Sequence, residues 1–219
     1  MVERITHNEQ KVGLMGLVSL LVTFQIFLML LADSFLVDDS LYYEFWQDQL
    51  SHDRIEKMLE DGKKWKWLSY LLSPIFLLIK CFLIFSCLYI GCFVCQLGGR
   101  IIDLLKIVLL AHFVALLPIL VKIFWFGFFR SDFGLADVYH FSPLSVIGII
   151  DSNEIEPWLV YPLRMLNLFE VTYWCILAWQ LKGFLGRDFT GSLVFVASTY
   201  GLGLLLWMVL VMFISVSFS

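Results

Sequence analysis

Five separate stretches of this chain are long enough and apolar enough to cross a lipid bilayer, and this feature constrains the fold more than any other. A helix needs about 20 apolar residues to cross roughly 30 Å of hydrocarbon. The five stretches are 12–36, 75–97, 101–124, 158–181 and 192–216. A segment in hydrocarbon must satisfy its backbone hydrogen bonds internally, so we expect each stretch to be helical. The sequence therefore predicts an all-α polytopic membrane protein with five transmembrane helices, forming a single domain over residues 1–219.

The composition supports a membrane protein and argues against a nucleic-acid-binding protein. Hydrophobic residues make up 60% of the chain and charged residues only 16%, whereas soluble domains carry about 25% charged residues. The formal net charge of −4 lacks the basic character of a nucleic-acid-binding surface. We therefore expect the lipid bilayer as the surroundings and no nucleic acid as a partner.

The connections between the spans alternate in length. Residues 98–100 and 182–191 form short turns, whereas 37–66 and 130–157 are long loops. With five spans, both long loops and the C-terminus share one side, which we call the long-loop side. Pro74 divides the apolar run 67–97 into an interfacial segment, 67–73, and the second span.

Basic residues decide the orientation of such proteins, because Lys and Arg in short loops favour the cytoplasmic side. The two sides carry six each, but those on the N-terminal side lie in shorter segments. This favours a cytoplasmic N-terminus, although Lys63, Lys64 and Lys66 point the other way.

The loop 37–66 is the most polar part of the chain. Ser51 can cap an amphipathic helix that Gly62 would end, and a second apolar patch directly follows the first span. Either the helix lies on the membrane surface or it docks a partner, and the eight carboxylates of the loop slightly favour the partner. The candidate docking residues are Leu41, Phe45, Trp46, Ile55, Met58 and Leu59.

The second long loop contains a proline-started segment, 142–150. Ser142 and Pro143 are typical of a helix start, and the apolar run is too short to span, so we expect an interfacial or re-entrant helix. Three carboxylates follow, Asp151, Glu154 and Glu156. Their spacing does not fit a calcium loop and indicates a solvated acidic turn.

Two ionisable residues lie near the middle of predicted spans, where such groups are costly. His112 is on span three and Glu170 on span four. We expect both side chains to face the interior of the helix bundle or a partner helix, and Glu170 to hydrogen-bond a side chain from another span, His112 first and Gln25 second. The two residues form a structural pair, form a proton or ion relay, or make no contact. The side chain of Arg164 can reach either Glu156 or the outer membrane interface.

Other charged side chains lie closer to the predicted span ends and can extend to the headgroups. They are Asp33, Lys80, Lys106 and Lys122.

No motif in the chain names a reaction. Cys92 and Cys95 form a C-x-x-C, which suggests a thiol oxidoreductase, but cysteine in an apolar helix is commonly a small packing residue. We expect no enzyme activity, no cofactor and no metal, and no small-molecule substrate is evident. Small residues of span five, including Gly201 and Gly203, indicate close helix packing.

The order of features in the second half resembles the YIP-domain (Ypt-interacting protein) family, in particular its bacterial members. Pro143-Leu144-Ser145, then Gln180-Leu181-Lys182-Gly183, then an apolar last span carry the resemblance, which covers residues 75–219. It implies five helices, a cytoplasmic N-terminus, a bacterial inner membrane and no known catalytic activity. The eukaryotic aspartate–leucine–tyrosine–glycine–proline signature is absent, and residues 154–162 resemble an insertion.

Together these features favour a non-catalytic accessory or scaffold protein that binds other integral membrane proteins, for example within a secretion or translocation assembly. The alternative is a small proton- or ion-coupled transporter or channel that uses His112 and Glu170. The thiol oxidoreductase is the third hypothesis.

Overall fold

The computed structural model describes residues 2–36, 38–129, 133–148 and 155–217, without the side chains of residues 2–12, His140 and Pro157. The described part is helical, with one isolated bridge between Ser145 and Asn167, which confirms the all-α class. Asp151 and Glu154, and residues 149–150 of the predicted interfacial helix, lie outside the described residues. The α-helices are α1 (Val2–Leu36), α2 (Asp39–Trp46), α3 (His52–Val94), α4 (Ile101–His112), α5 (Leu117–Phe124), α6 (Leu135–His140), α7 (Pro157–Met165), α8 (Leu168–Leu185), α9 (Phe189–Val196) and α10 (Leu202–Ser217).

Four helical segments of the described chain are long and apolar enough to cross a membrane: Gly13–Leu36, His52–Val94, Ile101–Phe129 and Phe189–Ser217. They match four of the five predicted spans. The remaining prediction, a continuous helix over 158–181, is wrong. Leu166 and Asn167 interrupt the helix there and separate α7 from α8.

The helix α3 runs without interruption for 43 residues, so two predicted boundaries in it are wrong. Gly62 does not end a loop helix, and Pro74 does not separate an interfacial segment from the span. Ser51 is the N-cap, but its side chain makes no capping hydrogen bond. Membrane helices tolerate proline where surrounding groups satisfy the freed backbone carbonyl, and Pro74 is buried.

The hydrophobic core lies where α1, α3, α4, α8 and α9 meet. Leu88 of α3, Val108 of α4 and Leu177 of α8 are all fully buried in it. Glycines permit the closest approaches. A Cβ at Gly203 would lie 2.6 Å from Sγ of Cys87, and one at Gly201 would lie 2.7 Å from Cη2 of Trp174. The packing role predicted for these two glycines is therefore confirmed.

On the long-loop side, α2 folds back against the start of α3 and against α6. Nζ of Lys63 lies 2.6 Å from Oδ2 of Asp39, and the hydroxyls of Tyr42 and Tyr139 are 3.4 Å apart. Burial and this hydrogen bond raise the pKa of Tyr42 to about 12, so the phenol stays protonated at neutral pH.

This folding back changes the predicted docking surface. Ile55 is only 1% exposed and is unavailable to a partner, because a neighbouring element already covers that face of α3. Leu41, Trp46 and Leu59 are half-buried. Phe45 and Met58 remain exposed.

The predicted interfacial helix 142–150 is not an α-helix in its described part. Residues 143 and 144 form a turn, and Val146–Gly148 is a single 3-10 turn. Backbone pairing replaces helical bonds here: the Val146 amide donates to the Leu166 carbonyl at 3.0 Å, and the Leu168 amide donates to the Leu144 carbonyl at 3.0 Å. The segment is thus fixed to the interruption between α7 and α8.

Candidate functional site

Three helix irregularities surround one cluster of polar side chains, which we call the polar cluster: His112, Glu170, Tyr173 and Tyr200. A 3-10 turn, Phe113–Leu116, directly follows His112, and a π-helical turn, Ala197–Gly201, interrupts the last span. The third irregularity is the break at Leu166 and Asn167. Such departures from α-helix often mark functional sites in helical proteins. Here they lie next to the polar residues that the sequence placed at membrane depth.

Glu170 lies in the first turn of α8, because the helix restarts just before it. Asn167 caps α8 by accepting a hydrogen bond from the Glu170 amide at 2.8 Å. The Glu170 carboxylate oxygen Oε1 accepts bonds from Tyr200 Oη at 2.6 Å and from Trp174 Nε1 at 2.9 Å. The expected bond to a side chain of another span is therefore confirmed, but its partner is Tyr200, not His112 or Gln25.

His112 is buried, with 3% of its surface exposed, and its ring meets Tyr173 edge-on with centroids 6.0 Å apart. Tyr173 in turn meets Tyr200 edge-on at 5.8 Å. Among the described residues, His112 Nδ1 and the Tyr173 hydroxyl have no hydrogen-bond partner. His112 and Glu170 thus belong to one cluster but are joined only through the two tyrosines.

Sequence reasoning missed Tyr173 and Tyr200. Tyrosine in membrane proteins is enriched at the interfaces, so a tyrosine far from both ends of an apolar stretch was the available signal. A buried hydroxyl needs a partner, and Tyr200 finds it in Glu170.

Gln25 lies elsewhere in the core. Its Nε2 donates to Oγ of Ser73 on α3 at 2.6 Å, and its Oε1 has no described partner. The predicted contact with Glu170 is wrong, since Gln25 faces α3 instead of α8. The bond joins the first two spans.

A cavity of about 450 Å³ lies between α3, α7 and α10, and we call it the lateral groove. Its walls are mainly apolar, with Leu83, Leu206 and Leu210 among the lining residues. Trp207 and Tyr161 also line it, and Trp207 Nε1 donates to Tyr161 Oη at 2.7 Å. Tyr200 lines the groove as well, so the polar cluster touches its inner wall.

Lys80 is the one cationic residue among the described residues that line the groove. It is midway between Lys66 and Val94 on the continuous α3, about 21 Å of helix from each. Exposed Trp65 and Trp67, together with an ion pair of 3.3 Å between Lys66 and Asp33, are typical of the membrane interface. Lys80 is therefore deeper than the sequence suggested, because the span does not begin at Pro74. No ion pair to Lys80 occurs within the described residues.

A second cavity, of about 220 Å³, contains Arg164. We call it the basic pocket. Lys122 of α5 lines it together with Arg164 of α7, and Ser142, Ser145 and Asn167 complete the polar wall. Of the two alternatives for Arg164, an ion pair with Glu156 is not found in the described part of the chain.

The cysteines are free thiols, with Cys92 buried and Cys95 exposed. In the described ranges, no three His, Cys, Asp or Glu side chains come together as metal ligands would.

The chain matches no known protein family, no curated protein and no solved structure at a significant level. The geometry of the polar cluster, the lateral groove and the basic pocket is therefore the basis for a functional proposal.

Proposed function

We propose that this chain is a non-catalytic accessory protein of the membrane that binds a transmembrane helix of another membrane protein in the lateral groove. One observation carries the proposal: Lys80, a cation without a described counter-ion, lines an apolar groove of about 450 Å³ at a position midway between Lys66 and Val94 on the long helix α3.

The charge of Lys80 defines the partner. A charged group at membrane depth is costly unless it is paired, and the four-carbon stem of a lysine is much shorter than the roughly 21 Å of helix from Lys80 to Lys66 or to Val94. A partner helix with a carboxylate at the same depth would neutralise Lys80 while its apolar side chains fill the groove. Glu170 of a second copy is a poor source of that carboxylate, since Tyr200 and Trp174 already bond it.

Substitutions in the groove test the proposal in protein purified from native membranes with mild detergent. Lys80→Gln should lower the recovery of a stoichiometric partner by about ten-fold or more, because the partner's carboxylate is left unpaired. Leu206→Trp should also displace the partner, since it fills the groove, whereas Leu205→Trp is a matched control. Leu205 is exposed on the same helix but does not line the groove. A monodisperse wild-type protein without a partner would contradict the proposal.

The membrane arrangement belongs to the same proposal. We propose five spans, with α7 and α8 together crossing as the broken fourth span, and a cytoplasmic N-terminus in a bacterial inner membrane. Four helical segments long and apolar enough to cross a membrane support an embedded position for α8, because α8 packs against α4 and α9, which belong to two of those segments. A YIP-like relationship is consistent with this arrangement and stays a prediction.

A proton- or ion-coupled transporter is the second candidate, and the helix break beside Glu170 favours it. Broken membrane helices often form ion and substrate sites, and His112 Nδ1 has no described partner with which to bond. Proteoliposomes that contain the protein should then acidify faster than empty ones under a potential, and Glu170→Gln should abolish the difference. Equal fluxes in loaded and empty vesicles would exclude this candidate.

A further inference from the structure

We propose that Lys122 and Arg164 form a binding site for a phosphate-type oxyanion in the basic pocket on the long-loop side. This site is separate from the lateral groove and does not depend on the accessory role proposed above. Two basic side chains on different helices line the same cavity of about 220 Å³. At about 30 Å³ for each water molecule in the liquid, this volume accommodates a phosphate group with bound water.

The charge balance of the pocket indicates an anion. Lys122 and Arg164 carry like charges and line the same cavity, and no acidic residue is among the described residues that line it. Within the described ranges neither side chain has an ion-pair partner. Bringing two like charges together costs free energy, and a bound oxyanion offsets this cost.

The donors of the pocket match phosphate chemistry. A guanidinium binds two phosphate oxygens at once, and an ammonium adds a compact charge. The Ser142 side chain also lines the cavity and makes no hydrogen bond within the described residues, so its hydroxyl is a third donor. Carboxylates lack the third oxygen that this arrangement can bind.

The loop wall of the pocket is held in place before any ligand arrives. Ser145 Oγ donates to the Ser142 carbonyl at 2.8 Å, and Asn167 Nδ2 donates to the Arg164 carbonyl at 3.0 Å. Leu144, between the two serines, has a positive φ of 56°. A non-glycine residue rarely adopts this conformation without a local reason, and here it allows the backbone pairing with Leu168.

The position of the basic pocket is compatible with two sources of phosphate, a lipid headgroup and a free anion. Lys122 lies roughly 30 Å of helix beyond Ile101, close to the far end of the third span, where lipid phosphates lie. Arg164 is exposed, so free phosphate or a soluble phosphorylated compound also has access.

Native mass spectrometry of the purified protein tests the site and separates the two sources. In one arm, dioleoyl phosphatidylglycerol is added, and in the other, inorganic phosphate at matched ionic strength with chloride as the reference. Wild-type protein should retain an anionic adduct. Lys122→Gln/Arg164→Gln should weaken the binding about ten-fold or more, because two charge-assisted contacts are lost. Adducts with the lipid alone identify a headgroup site, and adducts with inorganic phosphate identify a free-anion site.

The control removes the same net charge elsewhere. Lys182→Gln/Arg187→Gln alters two exposed residues, one in the last turn of α8 and one in the short turn before α9, and it should bind like the wild type. If the double Gln variant does not fold, Arg164→Gln decides, since Arg164 is exposed and its loss leaves the core intact. Equal binding by wild type and by that variant, or binding to neither probe, would overturn the proposal.

Discussion

The hydroxyl of Tyr200 donates a 2.6 Å hydrogen bond to the Glu170 carboxylate, and this contact joins two irregular places in the membrane helices. Tyr200 lies in the π-helical turn Ala197–Gly201, and Glu170 lies in the first turn after the break that begins α8. The bond therefore links the two irregular segments directly. The polar cluster thus lies where both of these helices depart from regular α-helix.

Removing the Tyr200 hydroxyl should destabilise the protein measurably. We expect Tyr200→Phe to lower the free energy of unfolding by about 1–3 kcal/mol, because Glu170 loses its shortest bond while Trp174 still donates to it. Tyr89→Phe is the control, since Tyr89 is 41% exposed. Reversible denaturation in detergent or bicelles provides the measurement. Equal effects of the two substitutions would show that the contact contributes nothing.

The hydrogen bond between Gln25 and Ser73 predicts that a double variant is more stable than one of its single variants. Ser73→Ala should cost about 1–2 kcal/mol, because it leaves the buried Gln25 amide without its partner. Adding Gln25→Leu should recover most of this loss, since the double variant has no buried polar group at either position. Unfolding of the two single variants and the double variant completes the cycle. A double variant less stable than Ser73→Ala would contradict the argument.

Two glycines should respond in opposite directions to the same substitution. A methyl group at Gly91 would overlap Cγ2 of Thr199, so Gly91→Ala should destabilise by about 1–3 kcal/mol. Gly183 lies in α8 with nothing within 4 Å of a Cβ at that position. There, alanine should stabilise the helix by about 0.5–1 kcal/mol. Thermal unfolding of both variants, measured side by side, checks the sign of each change.

The proposed orientation predicts which side of the membrane exposes Cys95. In a variant that retains only this cysteine, an impermeant maleimide should label the protein only after the cells are permeabilised, because Cys95 is exposed on the short-loop side. Ser51→Cys in a cysteine-free background is the matched control on the long-loop side, and it should react in intact cells. The reverse pattern would invert the orientation.

The sequence by itself determined the all-helical class and four long apolar helices, because the length and hydrophobicity of a segment are local properties. It also determined that Glu170 needs a partner, since an unpaired carboxylate at membrane depth is costly wherever it points. Only the tertiary structure decided that Tyr200 is this partner. The choice depends on how α8 and the last span rotate and approach, and such contacts join residues far apart in the sequence.

The tertiary structure also decided where helices continue and where they end. Gly62 and Pro74 are ordinary helix-ending residues, yet α3 continues through both. Asn167, with Glu170 three residues later, is typical of a helix start but lies inside an apolar stretch long enough to span, and the helix breaks there, where the backbone of residues 144–146 pairs with that of residues 166–168. Local propensity amounts to about 1 kcal/mol for glycine and 3 kcal/mol for proline, and packing and long-range hydrogen bonds exceed it. The basic pocket and the depth of Lys80 follow from these decisions and were not visible in the hydropathy pattern.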